Sequence, residues 1–232
     1  MNDKRAKMDA YLFLQCADAT CRFRFPTPAA EAEGLRCPRC RGAVGRGGDA
    51  WPALPPASDE PVNWSDSAPP LVALLDNIRS VHNVGSMFRT ADGAGIGPLY
   101  LAGITATPEH PRLTKAALGA QSTVGWRYYA NSLDAAAALR GAGYALWALE
   151  PPPDGRPPSL YEAAPPAGPL ALVIGNERAG IDPALLARCD AVFSLPMRGG
   201  KSSLNAAVAF GIAVYHLRFG QGIAAPPVGS TP

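Results

Sequence analysis

The chain has 232 residues, of which 47% are hydrophobic, and a formal net charge of +2. This length suits one medium α/β domain plus a small accessory unit, and the hydrophobic content allows a substantial core. No apolar run approaches the roughly 20 residues of a membrane span, and the first residues lack the apolar centre of a secretion signal. We therefore expect a soluble, cytoplasmic protein with no membrane partner.

The first 50 residues are more basic than the rest. They hold nine Lys and Arg residues against six Asp and Glu, whereas the remainder holds twelve against thirteen. A basic segment favours a polyanionic partner, although chance scatter explains this asymmetry equally well.

Four of the five cysteines lie in this segment, as Cys16-x4-Cys21 followed after fifteen residues by Cys37-Pro-Arg-Cys40. Two close pairs joined by a short loop can supply four thiolates to one tetrahedral Zn²⁺ ion. In a chain without an export signal, this pattern favours a metal over disulfides. We predict a zinc-ribbon-like unit over residues 1–44, with four reduced structural cysteines as the alternative.

The segment Arg22-Phe23-Arg24-Phe25 follows the second cysteine. On a strand, alternation places the arginines on one face and the phenylalanines on the other. We expect the phenylalanines to fill the small core of the unit and the arginines to meet RNA phosphates.

Residues 45–70 are rich in Pro, Gly, Ser and Asp without periodicity, which predicts a linker. Residues 71–219 alternate short apolar runs with helical patterns, and residues 220–232 are expected to form a flexible tail. Continuous apolar runs suit strands that are buried on both faces, so the alternation predicts a mostly parallel α/β sheet. The predicted strands are 71–76, 98–104, 126–130, 144–150, 170–175 and 191–196, and the predicted helices are 83–94, 132–141, 183–188 and 204–218.

The first predicted helix carries a candidate functional arginine. Asn83 is a good N-cap for this helix. Its buried stripe at helical spacing consists of Val84, Met87, Phe88 and Ala91. Arg89 lies on the opposite side, between Gly85 and Gly93, which would leave space for a ligand to approach the guanidinium. Ligands of open α/β sheets bind at this carboxyl edge of the strands, although a solvated surface arginine is the alternative.

The strand at 170–175 leads into a polar loop, Gly175-Asn176-Glu177-Arg178. Gly175 permits tight backbone geometry beside a ligand. Glu177 is placed to orient a cation or a hydroxyl group, with a plain surface carboxylate as the alternative. Asp182 and Pro183 predict the start of the next helix.

The stretch 195–212, LPMRGGKSSLNAAVAFGI, contains the Gly-Lys-Ser that ends a phosphate-binding P-loop. The first glycine of that motif would fall on Leu195, and Pro196 removes one amide of the phosphate cradle, so we exclude a nucleotide hydrolase. The following helix is apolar almost all round. Such a helix needs cover on every side, which predicts a homodimer, or else a central helix of a three-layer monomer.

Three segments in this order resemble the SpoU/TrmH family of RNA ribose 2′-O-methyltransferases in the SPOUT superfamily. They are NIRSVHNVGSMFRTADGAG (77–95), LVIGNERAGI (172–181) and LPMRGGKSSLNAAVAFGI (195–212), and TKAALGA (114–120) fits the family's middle region. The resemblance covers residues 71–218. It implies a SPOUT-type parallel sheet with a deep C-terminal trefoil knot, bound S-adenosylmethionine (AdoMet), an obligate homodimer, and methylation of tRNA or rRNA. A non-catalytic RNA-binding or ribosome-assembly factor of the same fold is the alternative.

The resemblance also assigns roles to residues at the matching motif positions. It implies catalytic roles for Asn83, Arg89, Glu177, Ser203 and Asn205, and AdoMet contacts for Gly175, Leu195, Met197 and Leu204. Relatives are thought to use the motif-one arginine as a base, but a guanidinium stays protonated at physiological pH. We expect Arg89 instead to anchor the target phosphate and stabilise the developing alkoxide, with a deprotonated arginine as the alternative.

Two parts of the chain add to this resemblance or depart from it. Arg198 and Lys201 precede Ser-Leu-Asn and are expected to face RNA phosphate or solvent. The four-cysteine unit stands where several relatives carry a different RNA-binding domain, so the resemblance does not identify the RNA target.

Overall fold

The computed structural model describes residues 10–21, 23–46, 51–52, 70–150, 158–164 and 167–220. The chain forms two compact units, Met1–Trp64 and Ser65–Pro232. Arg22, stretches 47–50 and 53–69 of the predicted linker, and the predicted tail from residue 221 onward lie outside the described residues. The predicted domain boundaries stay predictions.

The first unit is a small antiparallel sheet. Strand β1 (Ala10–Cys16) pairs with β2 (Arg24–Pro28), β3 (Val44–Arg46) and β4 (Trp51–Pro52). A 3-10 turn at Ala29–Glu31 follows β2. The end of β3 and all of β4 fall inside the range predicted as linker, so the small sheet extends into that range.

The second unit contains a six-stranded sheet in the order β10-β8-β9-β5-β6-β7. Every pairing in it is parallel, which confirms the predicted parallel α/β sheet. The strands are β5 (Leu71–Asp76), β6 (Leu99–Ala102), β7 (Trp126–Tyr129), β8 (Ala145–Leu149), β9 (Leu170–Ile174) and β10 (Ala191–Phe193). All six lie within predicted strands, most of them one or more residues shorter.

Helices cover both faces of this sheet. They are α1 (Val81–Ala94), α2 (Pro111–Ala117), α3 (Ala120–Thr123), α4 (Ser132–Gly141), α5 (Pro183–Leu186) and α6 (Ala206–Tyr215), with a 3-10 turn at Leu160–Glu162 and a π turn at His216–Gly220. Within the described ranges, every helix is too short or too polar to cross a lipid bilayer.

Strand β5 shows why its apolar run is unbroken. Leu71, Ala73 and Leu75 pack in one buried cluster with α1 and α6. Val72 and Leu74 belong to a second cluster with α4 on the opposite face. Burial of each of these Leu or Val side chains stabilises the fold by about 1.5–3 kcal/mol. The three-layer packing follows from these two clusters, whereas the trefoil knot implied by the resemblance stays a prediction.

Helix α1 begins two residues earlier than predicted, so the assignment of Asn83 as its N-cap is wrong. Ser80 is the cap, and its hydroxyl oxygen accepts a hydrogen bond from the Asn83 N–H at 3.2 Å. A serine hydroxyl satisfies the free N–H groups of the first turn as well as an asparagine does. The side chain of Asn83 is therefore available for other partners.

The predicted role of Gly85 is also wrong. A Cβ atom there would overlap the Cβ atom and backbone of Ala116, so this glycine lets α1 and α2 pack closely and opens no space beside Arg89. A Cβ atom on Gly93 would lie 3.0 Å from the Tyr215 hydroxyl oxygen of α6. Both glycines thus serve contacts inside the unit.

Candidate active site

A cavity of about 320 Å³ lies where β8, β9 and β10 end. This is the edge at which open α/β sheets bind ligands, and the volume falls in the usual range for small-molecule sites. The structure brings seven of the nine predicted site residues into its lining. They are Gly175, Glu177, Leu195, Met197, Ser203, Leu204 and Asn205.

Glu177 ties the cavity to the start of α1. Its carboxylate accepts hydrogen bonds from the backbone N–H groups of Arg79 and Ser80, at 2.9 and 3.0 Å, and from the Asn83 side-chain amide at 2.8 Å. Partial burial raises the pKa of Glu177, but these hydrogen bonds outweigh it and hold the pKa below its usual value. The carboxylate is therefore ionised, and its charge is favourable beside a helix N-terminus.

Asn83 extends this contact to the third motif. Its side-chain oxygen accepts a hydrogen bond from the Asn205 amide at 3.1 Å. The Asn205 oxygen in turn accepts from the N–H groups of Ala207 and Val208, and so caps α6. A single hydrogen-bonded chain, Glu177–Asn83–Asn205, joins the three sequence motifs at the cavity.

The loop after β9 is held by its own backbone. Asn176 and Gly180 exchange two backbone hydrogen bonds of 3.0 and 2.9 Å, and the Asn176 amide donates to the Asn77 carbonyl oxygen at 2.7 Å. A Cβ atom on Gly175 would meet the backbone of Gly180 and Ile181 at less than 3 Å. Glycine is thus required at position 175 because the chain folds back on itself there.

The sequence did not predict three contributors to the site. Ser80 caps α1, and the buried Asp76 carboxylate accepts from the Asp182 N–H at 3.0 Å, which fixes the loop after β9 to the end of β5. Glu150 follows β8 and lines the cavity. Burial raises the pKa of Glu150. Their place in the sequence was the signal that could have found two of them, since Asp76 and Glu150 each end a predicted apolar strand with a carboxylate.

Arg89 is exposed and lies outside the cavity lining. Among the described residues it makes no hydrogen bond or ion pair, so its five N–H donors are available to a ligand. Arg198 and Lys201 are likewise exposed, in the loop that leads to Ser203. The structure therefore separates the predicted catalytic arginine from the other predicted residues of the cavity.

The four cysteines of the first unit converge on one point. Their sulfur atoms all lie within 4.8 Å of one another, with Cys16–Cys40 at 3.4 Å and Cys21–Cys37 at 3.8 Å, and none forms a disulfide. A tetrahedral zinc ion with Zn–S bonds of about 2.3 Å separates its sulfurs by about 3.8 Å. The donor set and its spacing fit Zn²⁺.

The two phenylalanines beside this cluster stack on each other, with ring centroids 5.9 Å apart. Phe25 is half-buried, but Phe23 is 37% exposed. The expectation that both rings fill the core is wrong for Phe23, which keeps more than a third of its surface exposed.

Comparison with known proteins gives a family match and relatives of known structure. The model of the SpoU rRNA Methylase family matches residues 70–215. The chain is 36% identical over 151 residues, 63% of its length and 57% of the relative's, to the 23S rRNA (guanosine(2553)-2′-O)-methyltransferase RlmP of Bacillus subtilis. The chain thus spans less than two thirds of that relative.

Two of the similar solved structures contain AdoMet. One is an rRNA methyltransferase from Sinorhizobium meliloti, with a TM-score of 0.60 and 29% identity over 66% of this chain and 58% of that one. The other is the SpoU methyltransferase AviRb from Streptomyces viridochromogenes, with a TM-score of 0.57 and 28% identity over 76% of this chain and 65% of that one.

Proposed function

Because the chain belongs to the SpoU rRNA methylase family, we propose that it transfers a methyl group from AdoMet to a ribose 2′-hydroxyl of RNA. Ribosomal RNA is the first candidate substrate. The observation that carries this proposal is the Glu177–Asn83–Asn205 chain, which joins three distant sequence motifs at one cavity. A surface that only bound RNA would not need these side chains to converge on a pocket.

The cavity residues fit AdoMet. Leu195, Met197 and Leu204 supply apolar surface, and Gly175 brings loop backbone to the lining. A cofactor bound there would supply an electrophilic methyl group on its sulfonium. Since AdoMet is held in solved structures of two similar proteins, the cavity is the place we assign to it.

Within this proposal Glu177 is a positioning residue. Its carboxylate already accepts three hydrogen bonds, and its lowered pKa makes it a weak base. It holds Asn83 and the first turn of α1 in place. Ser203 and Asn205 line the cavity and are exposed, so a target ribose can reach the Ser203 hydroxyl and the Asn205 amide.

Arg89 is proposed to bind the phosphate next to the target ribose and to stabilise the alkoxide as it forms. Its exposure and its lack of partners among the described residues support this role. A comparison of pH–rate profiles for the wild type and Arg89→Lys separates an anchoring arginine from a basic one. An anchor predicts a lower rate in the variant with an unchanged profile shape.

We also propose a homodimer formed through α6. Val208 and Tyr215 are 50% and 47% exposed, and their seven-residue spacing puts them on one face of the helix. Tyr215 packs against Gly93, one turn beyond Arg89 on α1, so a second subunit that covers this face would lie beside Arg89. Val208→Arg should shift the mass measured by light scattering from dimer to monomer.

The first unit is proposed to bind one structural Zn²⁺ through Cys16, Cys21, Cys37 and Cys40. A unit this small buries little apolar surface, so the ion would supply much of its stability. The cytoplasmic location expected from the sequence stays a prediction.

The activity is tested by incubating the full chain with methyl-tritiated AdoMet and separate preparations of unmethylated rRNA and tRNA. The proposal predicts tritium in RNA precipitated with acid, strong loss with Arg89→Ala, and preference for rRNA. AdoMet binding without transfer to any RNA would favour a non-catalytic RNA-binding factor. Preference for tRNA would overturn only the choice of rRNA as substrate and would leave the proposed reaction in place.

A further inference from the structure

Glu150 is a charged cavity residue to which the proposed chemistry gives no role. It follows the last residue of β8, and its backbone N–H donates to the Phe193 carbonyl oxygen at 3.0 Å. Its neighbours in the lining include the buried ends of β8 and β9, Leu149 and Ile174. Glu177, Ser203 and Asn205, by contrast, are exposed. Glu150 thus belongs to the inner part of the cavity.

The carboxylate of Glu150 lies against a glycine. Gly180 has a φ of +75°, and a Cβ atom there would collide with the Glu150 Oε1 atom. The loop after β9 therefore passes directly over this carboxylate. Among the described residues, no side chain donates a hydrogen bond to it, and the backbone N–H of Ile181 donates one.

A half-buried carboxylate with so few hydrogen-bond donors carries an unfavourable desolvation free energy unless another group supplies the missing donors. An ionised carboxylate accepts hydrogen bonds at two oxygens and donates none. A ligand that completes this site must therefore bring N–H or O–H donors into the inner cavity. AdoMet has such donors on its ribose, its adenine and its α-ammonium group.

We propose that Glu150 accepts hydrogen bonds from the two ribose hydroxyls of the AdoMet nucleoside, an inference that rests on the proposed function. The nucleoside is the flatter and more apolar part of AdoMet, which suits the inner cavity beside Leu149 and Ile174. A vicinal diol offers two donors to the two oxygens of one carboxylate. Acidic residues at strand ends bind nucleoside ribose in the same way in dinucleotide-binding folds.

The test compares wild type and Glu150→Gln by isothermal titration calorimetry with two probes. S-adenosylhomocysteine has both the nucleoside and the amino-acid part, whereas 5′-methylthioadenosine lacks the amino-acid part. We expect Kd to rise about ten- to hundredfold for both probes, which corresponds to the loss of hydrogen bonds to a charged group. Glu109→Gln, at an exposed position outside the cavity lining, should leave both Kd values unchanged.

The other outcomes separate this inference from the proposed function. An unchanged Kd for both probes overturns the role of Glu150 and leaves the methyltransferase intact. A weaker Kd for S-adenosylhomocysteine alone assigns the carboxylate to the α-ammonium group and also overturns the inference. If the wild type binds neither probe, the proposed function fails with it. Thermal melts of the ligand-free proteins should show that Glu150→Gln folds, because a neutral amide is easier to bury.

Discussion

Gly175→Ala perturbs the loop that shapes the cavity. The added Cβ atom would lie within 3 Å of the carbonyl carbon and oxygen of Gly180 and of the Ile181 nitrogen. All three are backbone atoms in a loop closed by two hydrogen bonds, so they cannot turn away as a flexible side chain could. Overpacking of this kind costs about 1–3 kcal/mol. For a domain of this size, each kcal/mol lowers Tm by about 2–4 °C, giving a fall of roughly 2–12 °C.

The same displacement should reach the cofactor, since Gly175 and Gly180 both line the cavity. We expect the Kd for S-adenosylhomocysteine to rise at least about tenfold, equal to 1.4 kcal/mol. Thermal melts and calorimetric titrations measure the two effects. Gly200→Ala is the matched control, because a Cβ atom there meets nothing within 4 Å. If Gly175→Ala kept the wild-type Tm and Kd, the account of this loop would be wrong.

Three further predictions concern other parts of the molecule. Gly85→Ala should lower the free energy of unfolding by about 1–3 kcal/mol, because the new Cβ atom collides with Ala116. Gly93→Ala should change it by less than about 1 kcal/mol. Equal effects of the two variants in denaturant melts would contradict the packing described for α1. The lowered pKa of Glu177 means that its ionised form stabilises the fold above its ordinary value of 4.5, a contribution lost as pH falls through the lower folded-state pKa. The Tm difference between wild type and Glu177→Gln should therefore be constant near neutral pH and shrink below about pH 4.5; a difference that does not vary with pH would argue against this role. Native mass spectrometry should find one Zn²⁺ per chain, lost in Cys37→Ser, and its retention in that variant would argue against the four-thiolate site.

Much of the fold could be predicted because burial on both faces leaves a direct trace in the sequence. The unbroken run at 71–76 has to satisfy two layers at once, and its alternate residues do pack against opposite helices. The cysteine cluster could be predicted for a similar reason, since two close pairs suffice to place four sulfurs together. The predicted ends of the strands were less accurate than their positions in the chain, because the last residues of an apolar run can lie beyond the sheet.

The errors arose where long-range contacts decide between local alternatives. Ser80 and Asn83 are both good N-cap residues, and the choice depends on Glu177, which engages the Asn83 side chain from 94 positions away. In the local sequence Gly85 suggests open space beside Arg89, but in the structure Ala116 of α2 packs against Gly85 and fills that space. Neither partner can be identified from the sequence around the helix.

The proposed function requires that the methyl group is transferred to a ribose oxygen. The most direct measurement digests RNA labelled by the full chain with methyl-tritiated AdoMet to nucleosides and separates these by chromatography with mass detection. We expect label only in a 2′-O-methylnucleoside, and much less of it after incubation with Arg89→Ala. Label in a base-methylated nucleoside, or no incorporation into any rRNA or tRNA, would contradict the proposed reaction.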